Sequence, residues 1–166
     1  MGLITLGLCQ IKVGEAAPTG TMPSDLTKIG KTYKDTAKIA QDSADVTEHF
    51  EEGKAAPEVR KKARKIPRLT FSLMDADAQM LADYVGGTCT TSESAKTWAY
   101  DGDEVVANKA VFIETEQGLD FEIPNGDIEA IINADMSGKG IFLVDFTVTP
   151  LAVAAGKALR GVPKKV

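Results

Sequence analysis

The single histidine, His49, is the first residue to consider for chemistry in this chain. Any mechanism that moves a proton through an imidazole would have to use it, because the chain has no other histidine. Three carboxylates lie nearby, but in a strand only Glu51 would share the face of His49. Two ligands are too few for a stable metal centre. We therefore interpret His49 as a partly exposed strand residue.

Other catalytic and phosphate-binding patterns fail on their spacing. Gly30-Lys31-Thr32 is similar to the end of a phosphate-binding loop, but the glycine that such a loop needs five positions earlier is replaced by Asp25. The motifs GxSxG, HExxH and GxGxxG do not occur. Cys9 and Cys89 lack metal-ligand spacing, and we expect buried free thiols. The sequence predicts a protein that is not an enzyme and that uses neither a cofactor nor a metal.

A basic run at residues 60–65, Arg-Lys-Lys-Ala-Arg-Lys, is the third feature that could take part in binding or chemistry. Residues 54–68 hold seven basic residues and one acid, a local charge of +6, so the rest of this chain of net charge −5 carries −11. Three interpretations stay open: a contact to nucleic-acid phosphate, a solvated loop without a role, and a contact to the acidic surface of another copy. No aromatic residue lies within the run to stack on bases.

If the run contacts another copy, the candidate interface is a charged loop at residues 51–66. Its candidate residues are Glu51, Glu52, Arg60, Lys61, Lys62, Arg64 and Lys65. Because this loop has few apolar residues with which to pack, we expect it to be mobile or extended in an isolated protomer. The acids expected to point outward from the later strands are Asp120, Glu122, Asp127, Glu129 and Asp145.

The elements that would position these residues are mostly strands. Alternating apolar and polar residues, with turn residues between the runs, predict strands at residues 4–13, 33–41, 45–53, 66–73, 119–123, 128–134 and 142–148. Residues 88–104 are polar and are expected to be irregular. Asn125-Gly126 and Gly138-Lys139-Gly140 are typical of turns between paired strands.

One helix is predicted between residues 75 and 87. Asp75 is the expected N-cap, and Gly86-Gly87 should end the helix. Two i,i+4 pairs lie on one stripe that should dock against a sheet: Met80, Leu81, Tyr84 and Val85. At 166 residues we expect one domain, mainly β with one α-helix, as an antiparallel sandwich or barrel. Residues 150–166 are expected to form a C-terminal extension.

Residues 32–88 resemble phage tail tube (major tail) proteins, especially those of prophages in Bacteroides-like bacteria. Three features carry the resemblance: the run VTEHFEEG followed by a charged loop, the strand-to-helix entry LTFSLMDAD, and the exit YVGGT. The block that carries them, residues 32–88, covers about a third of the chain. The resemblance implies an antiparallel β-sandwich or barrel with a flanking helix and a long inter-strand loop.

In function, the resemblance implies a structural subunit that self-assembles into stacked hexameric rings, a conduit for DNA. The loop at residues 51–66 would reach a neighbouring subunit or ring. The implied location is the virion tail, after assembly in the cytoplasm of a bacterial host. The implied partners are other copies of the chain, sheath, baseplate or tape-measure proteins, and genomic DNA that passes without specific binding.

Two alternatives accompany this prediction. One is an inner-tube subunit of a contractile injection system. The other is a monomeric module that binds nucleic acid or another anionic partner through residues 60–65. In each case no membrane anchor is expected, because no run reaches the roughly 18 apolar residues that a membrane helix needs.

Overall fold

The structure is a computed structural model that describes residues 2–165, and its architecture is mainly antiparallel β with one short helix. The strands are β1 (Leu6–Glu15), β2 (Thr27–Lys28), β3 (Lys38–Ala40), β4 (Asp45–His49), β5 (Val59–Ala63), β6 (Arg68–Leu73), β7 (Thr88–Ser92), β8 (Ala95–Ala99), β9 (Asn108–Gln117), β10 (Leu119–Ala134), β11 (Phe142–Pro150) and β12 (Arg160–Pro163). The fold class predicted from the sequence is confirmed.

The main sheet contains eight of these strands in the order β2-β1-β9-β10-β11-β6-β3, with β12 paired to β10. All of its pairings are antiparallel. The sheet is not closed, since no pairing joins β2 to β3 in the part of the chain that the structure describes. The sequence predicted either a sandwich or a barrel. The open sheet is consistent with the sandwich and not with a closed barrel. Two ribbons, β4–β5 and β7–β8, lie outside it.

One hydrophobic core lies behind the main sheet. β6 and β11 each send three alternate residues into it: Leu69, Phe71, Leu73, Val144, Phe146 and Val148. Phe71 and Phe146 are partners in the β6–β11 register, and their rings stack with 5.1 Å between centroids. The alternation predicted for these two strands is confirmed.

The helix, α1, begins with an α-helical turn, Ala78–Met80, and continues as a π-helix, Leu81–Val85. The N-cap is Asp77, whose carboxylate accepts a hydrogen bond from the Met80 N–H at 2.8 Å. The predicted cap, Asp75, is wrong because its carboxylate accepts from the Lys31 N–H at 2.7 Å and is held by that loop. Gly86 ends the helix as predicted, with φ of 112°.

The helix packs on the core through the four predicted residues. Leu81 is buried, and Met80, Tyr84 and Val85 are partly buried against the core. The Tyr84 ring meets the Phe146 ring edge-on, with 5.4 Å between centroids. Burial raises the pKa of the Tyr84 hydroxyl. The predicted docking of this stripe is confirmed.

The segment predicted to be irregular, residues 88–104, contains the hairpin β7–β8 instead. Glu93 and Ser94 make its two-residue turn with positive φ values of 47° and 78°. The hairpin is tied to the helix end, because the Trp98 indole N–H donates to the Gly86 carbonyl at 2.7 Å. No local pattern predicts this hairpin, since a Thr-rich pair of strands has no apolar alternation.

The turn predicted at Asn125-Gly126 is also wrong, because both residues lie inside β10. The β9–β10 register shifts between Ile123 and Gly126. A Cβ on Gly126 would lie 2.7 Å from a methyl carbon of Val148, so glycine is needed here for close packing. The strand predicted at 128–134 is confirmed as the second half of β10.

Part of the expected C-terminal extension belongs to the main sheet. β12 pairs with the first residues of β10, and Arg160 forms an ion pair with Glu122 at 2.7 Å. The Lys164 ammonium group donates to the Thr115 carbonyl. This segment therefore covers the start of β10.

Glu114 on β9 joins three parts of the chain on the outer face of the sheet. Its carboxylate accepts from the Gln10 amide at 2.6 Å and lies 3.3 Å from the Lys12 ammonium and 3.7 Å from that of Lys164. The hydrogen bond from Gln10 lowers the pKa of Glu114, partial burial opposes this, and the lysine charges lower it further.

Replacing Phe146 with Ala should destabilise the protein by about 3–5 kcal/mol, because it removes the stacked partner of Phe71 and the support of the helix. Urea unfolding measures the loss. The control is Ile131→Ala, which is on the neighbouring strand but 57% exposed, and its effect should stay within about 0.5 kcal/mol. Equal losses for the two variants would contradict the placement of the core.

Glu114→Gln should be less stable than the wild type at neutral pH, and the difference should shrink in acid. A carboxyl group whose pKa is lower in the folded state stabilises above its unfolded pKa, and this contribution disappears as pH falls through the folded value. Urea unfolding between about pH 7 and about pH 3 tests it. The exposed neighbour Glu116→Gln is the control, with a small difference at every pH. A Glu114→Gln difference that stays constant would contradict the prediction.

Candidate interface hairpin

The ribbon β4–β5, with its connecting turn, is the candidate functional surface, and we call it the hairpin (residues 45–65). Its register runs from Asp45 opposite Ala63 to His49 opposite Val59. All ten strand residues are exposed. The turn contains Gly53 at φ of 78°, and the Glu58 N–H donates to the His49 carbonyl at 2.8 Å. The hairpin thus presents both of its faces to solvent.

The basic half of residues 51–66, which were expected to be mobile or extended, is an extended strand, and its mobility stays a prediction. Val59–Ala63 form β5 and pair with β4 along five residues. Backbone pairing does not depend on apolar side chains, so the scarcity of apolar residues did not prevent a strand here. The long inter-strand loop of the sequence prediction is a hairpin.

The predicted interface residues lie on three parts of this hairpin. Glu51 and Glu52 belong to the turn, and Arg64 and Lys65 follow the end of β5. Arg60, Lys61 and Lys62 are successive residues of β5, so Lys61 points to the opposite face from the other two. The basic run is therefore divided between two faces and does not form one patch.

Acids of the same hairpin pair with several of its cations. Arg60 Nε lies 2.7 Å from Glu48, and Lys65 Nζ lies 3.1 Å from Asp45. Lys54 pairs with Glu51 and Glu58, and these two carboxylates raise the pKa of Lys54. Exposed pairs of this kind stabilise the fold little, because solvent screens the charges. Three cations of the hairpin form no ion pair with any residue of 2–165: Lys61, Lys62 and Arg64.

Sequence reasoning missed the exposed apolar residues of the hairpin. The exposed fractions of Val46, Phe50 and Val59 are 44%, 54% and 57%, and that of Ile66, which directly follows the hairpin, is 38%. The sequence did contain a signal for them. Apolar residues stand beside charged ones both before and after Gly53, in the two runs that became β4 and β5. Exposed apolar residues of this size beside free strand edges are typical of a surface that meets another protein.

His49 and the two cysteines lie on strands of this structure. His49 lies on β4 and is exposed, which agrees with a strand histidine. Cys89 is half-buried, but Cys9 is exposed, so the expectation of buried thiols is wrong there. Cys9 lies where the register of β1 shifts, between Leu8 and Gln10. No cluster of three metal-ligating side chains is present among the described residues.

The five acids expected to point outward differ in burial and in their partners. Asp120 is buried, and its carboxylate accepts from the Thr115 N–H and hydroxyl at 2.8 and 3.1 Å, so this expectation is wrong. Glu122 pairs with Arg160, as described above. Asp145 accepts hydrogen bonds from Ser72 and Asn133 on the face away from the core. Asp127 and Glu129 are exposed on that same face.

A comparison with protein-family models and with curated proteins finds no match to this chain. No helix within residues 2–165 has the length and apolar character to cross a membrane.

In unassembled protein, trypsin should cut first in the hairpin, at Arg60 to Lys65. An isolated two-stranded ribbon is marginally stable, so its local opening costs little free energy. Time-resolved digestion with mass spectrometry measures the sites. The control is Lys96 in the β7–β8 hairpin, which is anchored through Trp98 and should be cut later. Equal or faster cleavage at Lys96 would contradict this prediction.

Proposed function

We propose that this protein is a structural subunit of a phage tail tube, which assembles through the hairpin into stacked rings. The rings would form a DNA conduit in the virion tail, built in the host cytoplasm. Other copies of the chain are its first partners, and sheath, baseplate or tape-measure proteins are further ones. The resemblance of residues 32–88 to tail tube proteins supports this proposal.

The observation that carries the proposal is a hairpin with both faces in solvent. Two strands alone bury too little apolar surface to be stable, and they normally need a third strand or a packed layer. All ten residues of β4 and β5 are exposed in the single protomer. The missing layer is best supplied by another copy, because a repeating contact of one copy with the next builds a ring.

Charge favours the same arrangement. Lys61, Lys62 and Arg64 remain available for a partner, whereas the chain outside residues 54–68 carries −11. Complementary potentials on two copies would fix their register and speed their encounter. Asp127, Glu129 and Asp145 share the face of the sheet away from the core, and an acidic face of this kind suits a bore through which DNA passes without sticking.

A second candidate function is a monomeric module that binds nucleic acid through the hairpin. The same three unpaired cations favour it, since lysine and arginine neutralise phosphate well. Their division between two faces weakens it, because a single strand of nucleic acid would contact only one face at a time. A contractile injection system would use the tube in the same way, so it is a variant of the first proposal.

Reversing the three unpaired cations, Lys61→Glu, Lys62→Glu and Arg64→Glu, should weaken assembly by at least about tenfold, because like charges then face each other. These changes leave the Arg60–Glu48 and Lys65–Asp45 pairs in place. Size-exclusion chromatography with light scattering and negative-stain microscopy at high protein concentration measure ring and tube formation.

The matched control reverses three exposed lysines elsewhere, Lys96, Lys139 and Lys157, and should assemble as the wild type does. DNA binding at physiological salt is measured on the same samples. A wild type that stays monomeric and binds DNA, with binding lost in the hairpin variant, would overturn the tube proposal in favour of the second candidate.

A further inference from the structure

A groove of about 830 Å³ lies between the two edges of the main sheet, and we call it the seam groove. One wall is the start of β1, residues 6–10, and the other is β3 with the segment before it. Apolar side chains from five strands line it: Leu8, Ile39, Leu69, Ile113 and Phe121. The groove therefore opens onto the core at the place where the sheet fails to close.

Both walls of the seam groove carry strand edges without a partner. β2 pairs only with Lys12 and Val13 of β1, so residues 6–10 have no strand on their outer side in the described part of the chain. β3 pairs with β6 alone. An open edge beside an apolar groove is the arrangement that accepts an added strand, through backbone hydrogen bonds and side-chain contacts.

The charge at the groove selects the kind of strand. Four lysines line it, and none forms an ion pair within residues 2–165: Lys28, Lys31, Lys34 and Lys38. The lining acids are only Asp35 and Glu116. An added strand should therefore carry carboxylates, which would meet these ammonium groups at close range.

Strand β4 has the matching chemistry. It holds Asp45 and Glu48 and leads into Glu51, and its outer edge is free because it pairs only with β5. Exposed Val46 and Phe50 supply apolar side chains for the floor of the groove. The other strands outside the main sheet fit less well, since β5 is basic, β7 has no charged residue and β8 has one lysine.

We infer that the seam groove binds strand β4 of a second copy of this chain. The bound β4 would add to one of the two open edges of the sheet as an extra strand. The inference rests on the proposed function, because it names where β4 of one subunit docks on the next, while the unpaired cations of β5 are left for the acidic surface outside the groove. In the single protomer β4 lies outside the groove, and the Gln41 side chain donates to the Lys65 carbonyl at 2.6 Å across the hairpin base. Groove and β4 are different surfaces, so the contact propagates from copy to copy into a ring or filament.

Disulfide trapping tests this contact, because Cys9 is exposed and lines the groove. In a Cys89→Ser background, Val46→Cys and Thr47→Cys place a thiol on either face of β4. Mild oxidation should give linked dimers and larger species with at least one of them, since a disulfide needs Cα atoms within about 7 Å. The links should disappear when Cys9→Ser is added. Ser137→Cys, exposed in the β10–β11 loop, is the matched control and should link at least about tenfold less.

Charge provides the second readout. Lys34→Glu with Lys38→Glu should lower the yield of Cys9 links about tenfold, whereas Lys96→Glu with Lys157→Glu should leave it unchanged. A link to Cys9 within one chain, or links that survive Cys9→Ser, would overturn the inference. Rings under reducing conditions without any Cys9 link would overturn it and leave the tube proposal standing. Neither rings nor links would overturn both.

Discussion

Burial of a single apolar layer behind the main sheet is the constraint on which the rest of the structure depends. Phe71 and Phe146 stack at its centre, and the helix closes over them through Tyr84. The long strands β9, β10 and β11, and the strands β1 and β6 that flank them, contribute their inward residues to this layer. The segments that contribute nothing to it, above all the hairpin, are left in solvent.

An open sheet and an exposed hairpin both favour aggregation of a monomeric protein, because free strand edges pair with other chains. Here the edges are short or interrupted: β2 has two residues, β3 has three, and β1 shifts register between Leu8 and Gln10. These features limit random pairing. They still leave two edges beside one groove, which suits an ordered contact between copies more than an unregulated one.

Charge is separated on a fine scale within the hairpin. One strand carries Asp45 and Glu48, and the other carries three successive cations, so the ribbon has an acidic edge and a basic edge. The pairs between the strands are exposed and weak, so each edge can exchange them for charges on a neighbour. The electrostatic field of a partner can orient such a ribbon, because its acidic edge is attracted to a basic surface and its basic edge to an acidic one.

The sequence by itself determined the elements whose signal is local. The period-two pattern of Leu69, Phe71 and Leu73 placed β6, the i,i+4 stripe that begins at Met80 placed the helix, and Gly86 ended it. Each of these signals lies within a few residues, because alternation and helical spacing are properties of a single element.

The tertiary structure alone decided the features that depend on partners distant in the chain. Asn125-Gly126 became part of a strand because Val148 packs against Gly126. Asp120 turned inward because Thr115 offers it two donors, and β5 became a strand because β4 lies beside it. The open seam followed in turn from which strands became neighbours in the sheet. No local pattern encodes these outcomes, because the free energy of each lies in a contact that forms only when the sheet assembles.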